Sequence, residues 1–507
     1  MKSDVLIIGA GGAGLVAALH AYNNGSKVRI LTKEYPTRSQ TCMAQGGINA
    51  VLPHAKDDSI EEHIKNTLKS AHGQADEEMV EFLCKEAPNA IAWLDSIGVP
   101  FSRTKDGKIA QRRLGGASGS RACYAQDYTG LKILHTLYDQ VLACGIEILN
   151  ERFLLTIIKD QESVSGVSVL NIRSGEVEIY ESSSIILATG GYSKIYDKQT
   201  TNSKSSTGDG IAVAKRAGAK CVDMEFVQFH PTALKNSAIL ISESARGEGG
   251  YLLNSKGERF TNELAPRDEV ARAIDEQIKK GEDVFLDIRH LGEEFIDEEL
   301  PQERKLSLLY ENIDPVNELI PIKPVAHYGM GGIEVDKTSQ TNIAGLFAVG
   351  ECANHRVHGA NRLGGNSLLE LIVFGKEAGK NASEYSNNNT KKLDISKEKS
   401  KQNEFIDKIN TFTKEISFYE QKELLGKIFY EKVGIVRGKK ELQEAQKIVF
   451  DMKDKILKMG VNDKSKIYNT NLIEFLEFIN MLDVCEEVIA GALKRDVSCG
   501  AHFRVDV

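Results

Sequence analysis

One stretch of the sequence concentrates residues able to grip a small anion. Gln228-Phe229-His230-Pro231-Thr232 sets a histidine ahead of a rigid proline. Ser242-Glu243-Ser244-Ala245-Arg246 places a carboxylate and a guanidinium three residues apart, within reach of one another across a short turn. Arg267 follows Pro266. His327 stands just before Gly329-Met330-Gly331-Gly332, and His358 and Arg362 flank Gly-Ala-Asn. Guanidinium forks and imidazoles beside flexible backbone are what recognition of a small dicarboxylate requires. Each residue alone has an ordinary reading, as a satisfied structural histidine or a solvated ion pair. Their concentration beside glycine and proline favours a site.

A second signature opens the chain. Gly9, Gly11, Gly12, Ala13 and Gly14 form a Gly-x-Gly-x-x-Gly turn between an apolar strand, Asp4 to Ile8, and a helix from Leu15 to Asn24. Such a turn lets a pyrophosphate approach a helix N-terminus, whose N–H groups and dipole favour negative charge. The acidic residue that usually ends the second strand and holds a ribose is absent. Thr32 and Lys33 stand there, with Glu34 next.

The surrounding pattern supplies the elements that hold these residues. Val28 to Thr32 reads as a second strand, 60–94 as helical, 103–130 as a Gly- and Arg-rich loop, and Lys132 to Cys144 as a helix. Phe153–Lys159 and Val164–Ile172 alternate as a hairpin, and Ser183–Thr189 is a buried strand. The strand Gly345–Gly350 and a helix over 365–380 resume the nucleotide-binding pattern. Residues 1–225 and 331–386 therefore read as two parts of one domain, with 226–330 inserted. Residues 387–402 read as a polar linker and 403–507 as a helical C-terminal domain.

Composition closes off several classes. The 507 residues carry 64 Lys+Arg against 72 Asp+Glu, a net charge of −8 with no basic block, which argues against nucleic acid as a partner. The longest apolar run, Val5 to Leu19, is broken by glycines and falls short of the ~20 residues of a membrane span. The N-terminus enters a strand at once, leaving no room for a signal peptide. Eight cysteines without a C-x-x-C pair point to reduced thiols in a cytoplasm, and to no metal or cluster in this chain.

The chain resembles the flavoprotein subunits of succinate dehydrogenase and fumarate reductase. The resemblance is carried by Ile8–Gly14, Pro36-Thr-Arg-Ser39, Ala44-Gln-Gly-Gly-Ile48, Arg121–Asp127, Thr207-Gly-Asp-Gly210, Gln228–Thr232, Arg246–Gly250 and Arg267-Asp268. His327–Ile333, Gly350-Glu351, His358–Ser367 and Gly500-Ala-His502 complete it. It implies an α/β fold, with a Rossmann-like discontinuous FAD-binding domain, an inserted α+β capping domain and a C-terminal helical domain. FAD would lie along Gly9–Gly14, Thr32, Lys33, Ser39, Gln40, Thr41, Gln45, Gly46, Gly47, Asp209, Glu351, Ser367 and Leu368. The substrate carboxylates of fumarate or succinate would be held by His230, Ser242, His327 and Arg362. Arg267 would give a proton to the substrate carbon, with Glu243 and Arg246 relaying protons to it. An iron–sulfur subunit would exchange the electrons, and any membrane contact would be made through partner subunits on the inner face of the cytoplasmic membrane.

Three departures modify this expectation. Respiratory members carry a histidine bonded covalently to the flavin in an Arg-Ser-His-Thr stretch. Here it is Arg38-Ser39-Gln40-Thr41, which implies noncovalent FAD. Cys499 replaces the arginine of the family's closing Ser-Arg-Gly-Ala-His, and the chain stops at Val507, implying a reduced C-terminal contact surface. The alternative within the superfamily is L-aspartate oxidase, a stand-alone FAD enzyme of NAD biosynthesis. Its ammonium-reading glutamate has no counterpart in Arg112-Arg113-Leu114-Gly115-Gly116. An FAD-binding assembly component without dicarboxylate chemistry is the third reading, and the complete His/Arg set argues against it.

Overall fold

The computed structural model describes residues 2–389 and 393–507. At its centre lies a five-stranded parallel sheet in the order Leu346–Ala348, Ser184–Leu187, Val5–Ile8, Val28–Thr32, Glu147–Asn150. Every residue of Val5–Ile8 is buried, because a central parallel strand is covered on both faces and alternate side chains serve opposite cores. Val5 and Ile7 pack with the helices Gly12–Asn23 and Asn366–Asn388. Leu6 and Ile8 join a second core that contains the antiparallel strands Arg152–Asp160, Ser163–Asn171 and Val177–Glu181. The same core takes in the C-terminal helices Phe418–Lys432, Lys439–Asp454 and Thr470–Lys494. The C-terminal region thus shares its apolar core with the central parallel sheet.

The turn after the first strand is built as its glycines require. Gly9 has φ 109°, a conformation that disfavours any side chain, and a Cβ on Gly14 would stand 2.1 Å from the Gly9 carbonyl oxygen. The helix Gly12–Asn23 can therefore start directly against the strand end.

Residues 226–330, expected as an insert, carry an antiparallel sheet in the order Val227–Leu234, Ile320–Gly329, Val284–Asp287, Tyr251–Asn254. It encloses its own core, with Leu252, Val270, Ile274, Leu286 and Ile320 fully buried between the sheet and the helix Arg267–Lys279. Two register shifts interrupt the pairing of its first two strands. Gln228 pairs with Tyr328 but Phe229 with Ala326, so His327 is the extra residue of a bulge. A second shift falls between His230 and Ala233, at Pro231, which has no N–H to give to the ladder.

Several elements differ from the sequence reading. The stretch 60–94 is two helices, Ile60–Ser70 and Glu77–Ser96, separated where His72 and Gly73 both take positive φ. The expected hairpin has a third strand, Val177–Glu181. The loop 103–130 contains short strands at Gln111–Arg112 and Ala122–Cys123. Of the expected linker, 387–388 end the helix Asn366–Asn388 and 395–402 begin the helix Ile395–Asn410, because polar residues sit comfortably on exposed helix faces. Residues 390–392 of that linker lie outside the described residues. Among the described residues no helix is long and apolar enough to cross a membrane.

Candidate active site

A single deep cleft is lined by both sets of residues singled out above. Gly9, Gly11, Gly12 and Ala13 contribute the glycine turn, and Thr32, Lys33, Ser39, Gln40, Thr41, Gln45, Gly46 and Gly47 form one wall. Asp209, Glu351, Ser367 and Leu368 line it as well. Gly14 does not line the cleft; it is used in the close approach to Gly9. The Gly12 N–H donates to Thr41 Oγ1 at 3.1 Å, which ties the turn to the neighbouring wall.

A dinucleotide fits this wall by its hydrogen-bonding inventory. Ser39 Oγ and both polar atoms of the Gln45 side chain are buried without a protein partner, although buried polar groups are normally satisfied. Gln40 turns its Oε1 to the Ser203 N–H at 2.8 Å. Glu351 accepts the Gly329 N–H at 3.0 Å, and burial lifts its carboxyl to about 7.

Lys33 explains the missing ribose acid. Its ammonium lies 2.6 Å from both Asp209 Oδ2 and Glu477 Oε1, and also donates to Thr207 Oγ1 and the Ser205 carbonyl. Burial alone would lower its pKa, but the two carboxylates outweigh that and hold it above its usual range. Asp209 Oδ1 takes Asn480 Nδ2 at 2.8 Å, so both its oxygens are occupied by protein. This network joins the nucleotide wall to the helix Thr470–Lys494.

The insert contributes the cationic part of the cleft. Arg267 Nη2 and Nε grip Glu243 Oε2 at 2.6 and 3.2 Å, and its Nη1 donates to Gln228 Oε1 at 3.0 Å. Arg362 Nη2 donates to the same Gln228 oxygen at 3.2 Å, and its guanidinium stacks 4.3 Å over the Tyr328 ring. Gln228 Nε2 is held in turn by Asn361 Oδ1 and the Arg362 carbonyl, both at 2.8 Å. One fully buried glutamine therefore fixes both arginines.

His230 and His327 lie with ring centroids 4.9 Å apart. His327 Nδ1 meets Thr201 Oγ1 at 2.7 Å, and His230 Nδ1 meets Thr232. Burial, then the positive charge of Arg267, pushes both imidazoles well below their usual pKa, so each is neutral and presents Nε2 as its remaining polar atom. Ser242 lines the cleft and caps the short helix Glu243–Gly247.

Behind the cleft, Arg246 Nη2 stands 3.4 Å from Glu243 Oε1 and does not line the cavity itself. Burial would raise the Glu243 carboxyl, but Arg267 and Arg246 hold it below the usual value. Burial lowers Arg362 to about 10 and lowers Arg246 as well.

The structure places His230, Ser242, Glu243, Arg267, His327 and Arg362 along this part of the cleft and Arg246 behind it, and three further residues stand with them. Gln228 stands in the His230 motif, and period two on a strand would have placed both on one face. Tyr328 is adjacent to His327, and only the bulge lets both face the cleft. Glu370 gathers His358 at 2.9 Å, His355 at 3.3 Å and the Tyr328 hydroxyl at 2.9 Å. His358 is thus engaged to Glu370 instead of lining the cleft. His502 of the closing motif accepts from buried Arg437 at 3.0 Å and anchors the C-terminus.

Comparison with known proteins agrees with this architecture. The family described as FAD binding domain matches residues 4–368, and the family described as fumarate reductase flavoprotein C-term matches 422–507. A succinate dehydrogenase flavoprotein subunit of Rickettsia bellii is 37% identical, over all of this chain and 90% of its own length. The 8-methylmenaquinol:fumarate reductase flavoprotein subunit of Wolinella succinogenes is 38% identical, over 99% of this chain and 86% of its own. A solved E. coli quinol fumarate reductase chain superposes with a TM-score of 0.96 at 35% identity, covering all of this chain and 91% of that one. With its glycine turn, its cationic cleft and this full-length similarity, the chain belongs to the family of FAD-dependent flavoprotein subunits of succinate dehydrogenases and fumarate reductases.

Proposed function

We propose that the chain interconverts fumarate and succinate and exchanges the electrons with an iron–sulfur subunit. The observation that carries this reading is the pair Arg267 and Arg362, held by one Gln228 oxygen beside two neutral histidines in the same cleft as the glycine turn. Bound FAD supplies the two-electron hydride exchange, which protein side chains cannot perform. Arg362, His230, His327 and Ser242 would hold the two carboxylates and polarise the substrate. In the reductive direction one alkene carbon gains a hydride and the other gains a proton from the Arg267 guanidinium, giving succinate. Glu243 and Arg246, contiguous with Arg267, would return that proton. The insert, residues 226–330, acts as the cap that brings Arg267 over the substrate, while 1–225 and 331–386 hold the cofactor.

Succinate, fumarate and L-aspartate offered to the purified holoprotein with artificial dyes test this reading. Turnover of the first two without L-aspartate oxidation is expected, and L-aspartate oxidation with neither dicarboxylate reacting refutes it. Co-purification should bring down a cysteine-rich partner, since the eight cysteines of this chain have no cluster spacing. Membrane contact would come through such partners.

The flavin is expected to be noncovalent, because Gln40 cannot form the bond that the family's histidine makes. Acid precipitation should leave the yellow colour in the supernatant; flavin fluorescence on the denatured polypeptide band refutes this. A covalent histidine bond raises the flavin potential in the family. Its loss favours fumarate reduction, and each 30 mV is worth about 1.4 kcal/mol in a two-electron couple. Dye-coupled rates should be higher for fumarate than for succinate, and the reverse ranking overturns the direction.

A further inference from the structure

A group of ionisable side chains touches the Ser242 backbone and takes no part in the chemistry above. Glu303, in the first turn of the helix Pro301–Glu311, is fully buried. Its Oε1 accepts the Ser242 N–H at 3.2 Å, and its Oε2 is buried with no partner. Asp127, from outside the insert and just ahead of the helix Thr129–Ala143, is also fully buried. Its Oδ2 accepts the Gln302 N–H at 2.7 Å, and its Oδ1 has no partner. Each carboxyl therefore spends one oxygen on a backbone N–H of the insert and leaves the other unmatched.

Arg112 is the cation that faces both acids, yet it hydrogen-bonds to neither: two of its nitrogens go to backbone carbonyls, and its buried Nη1 has no partner. Nε donates to the Gly46 carbonyl at 2.9 Å, and Nη2 donates to the Gln45 and Gln126 carbonyls. Tyr128 faces both carboxyls, and Glu248 faces Arg112. Burial, then the charge of Asp127, holds Glu303 well above the carboxylate range, and burial lifts Asp127 to about 6. Two buried carboxylates with orphan oxygens and no cation hydrogen-bonded to either cannot both ionise cheaply.

We propose that Glu303 is a positioning residue of the dicarboxylate site: facing Asp127 with one oxygen orphaned, it keeps its proton, and its acceptance of the Ser242 N–H holds that residue in place in the cleft. This rests on the dicarboxylate reading given above. Above the ordinary carboxylate range the folded chain keeps a proton that the unfolded chain has released. The contribution of the pair is therefore lost as pH rises through the raised value. The second ionisation sets two buried charges against each other and against a dianionic substrate, so KM rises while kcat holds.

The test compares the FAD-loaded wild type with E303Q, which keeps the size and a neutral donor, and with E303L, which keeps only the bulk. The wild-type KM for fumarate should rise about tenfold as pH is raised above neutrality, the order expected for one added buried charge close to the site. E303Q should match wild type at neutral pH and stay flat; E303L should bind weakly throughout. The infrared difference between wild type and E303Q at neutral pH should show the carbonyl stretch of a protonated buried acid. Absence of that band, or an equal alkaline rise of KM in E303Q, overturns the proposal. If E303L does not fold, these two measurements still decide. A holoprotein that turns over no dicarboxylate refutes the functional reading, while the infrared band continues to test the proton kept on Glu303.

Discussion

Arg267→Gln is expected to lower kcat/KM by about 10⁴-fold or more in both directions while leaving FAD bound, because proton delivery and electrostatic positioning go together. Arg267 reaches no nucleotide-wall residue by hydrogen bond; its partners are Glu243 and Gln228. The loss should therefore fall on chemistry and leave cofactor content intact. Arg267→Lys sharpens the point. A lysine keeps the charge but cannot span Glu243 Oε2 and Gln228 Oε1 with one rigid fork. It should remain at least about 10²-fold below wild type, the scale of a lost acid–base contribution. Steady-state rates with flavin absorbance read on the same samples check both. Activity of Arg267→Gln above a tenth of wild type would move the proton donor elsewhere, with Arg246 next along the same contacts.

Lys33→Met is expected to act on assembly instead of chemistry. Methionine fills the volume but leaves Asp209 and Glu477 buried and facing each other without their cation. Removing one partner of a buried charge network costs about 3–5 kcal/mol. Asp209 opens the helix Asp209–Ala217 at the cleft, and Glu477 lies on the helix Thr470–Lys494. The substitution should thus lower the denaturation midpoint and the flavin-to-protein ratio together. Adding Glu477→Gln should recover part of both, since it removes one of the stranded charges. An unchanged midpoint with full flavin content would show that the network contributes little.

The contrast between these two positions shows what the sequence made readable. Arg267 was legible because its neighbours in sequence, Pro266 and Asp268, mark the motif and because the cationic residues all stand beside glycine or proline. Lys33 was legible only as an anomaly, a cation where a ribose acid is usual. Its explanation lies 444 residues away in Glu477, a separation that no local pattern reports. The strand Val5–Ile8, the glycine turn and the helix after it were legible for the opposite reason. They are fixed by local periodicity and by the steric demand at Gly9 and Gly14. The bulge at His327 was not, since one extra residue in a ladder appears only when the partner strand is known. Glu303 was hidden for a further reason: it sits in a charged, helical stretch that reads as solvated surface, and only tertiary packing buries it. The helix over 395–402 was missed because polar composition marks exposure, which helices and linkers share.

The central claim is that this cleft passes a hydride and a proton to fumarate. The most direct measurement is a single turnover without dioxygen. The holoprotein is reduced until its flavin absorbance is bleached and is then mixed with fumarate. The account predicts that the absorbance returns, with one succinate formed for each flavin reoxidised, and that Arg267→Gln stays bleached under the same conditions. Flavin that stays bleached in the wild type with fumarate, yet regains its colour when dioxygen is admitted, would contradict it.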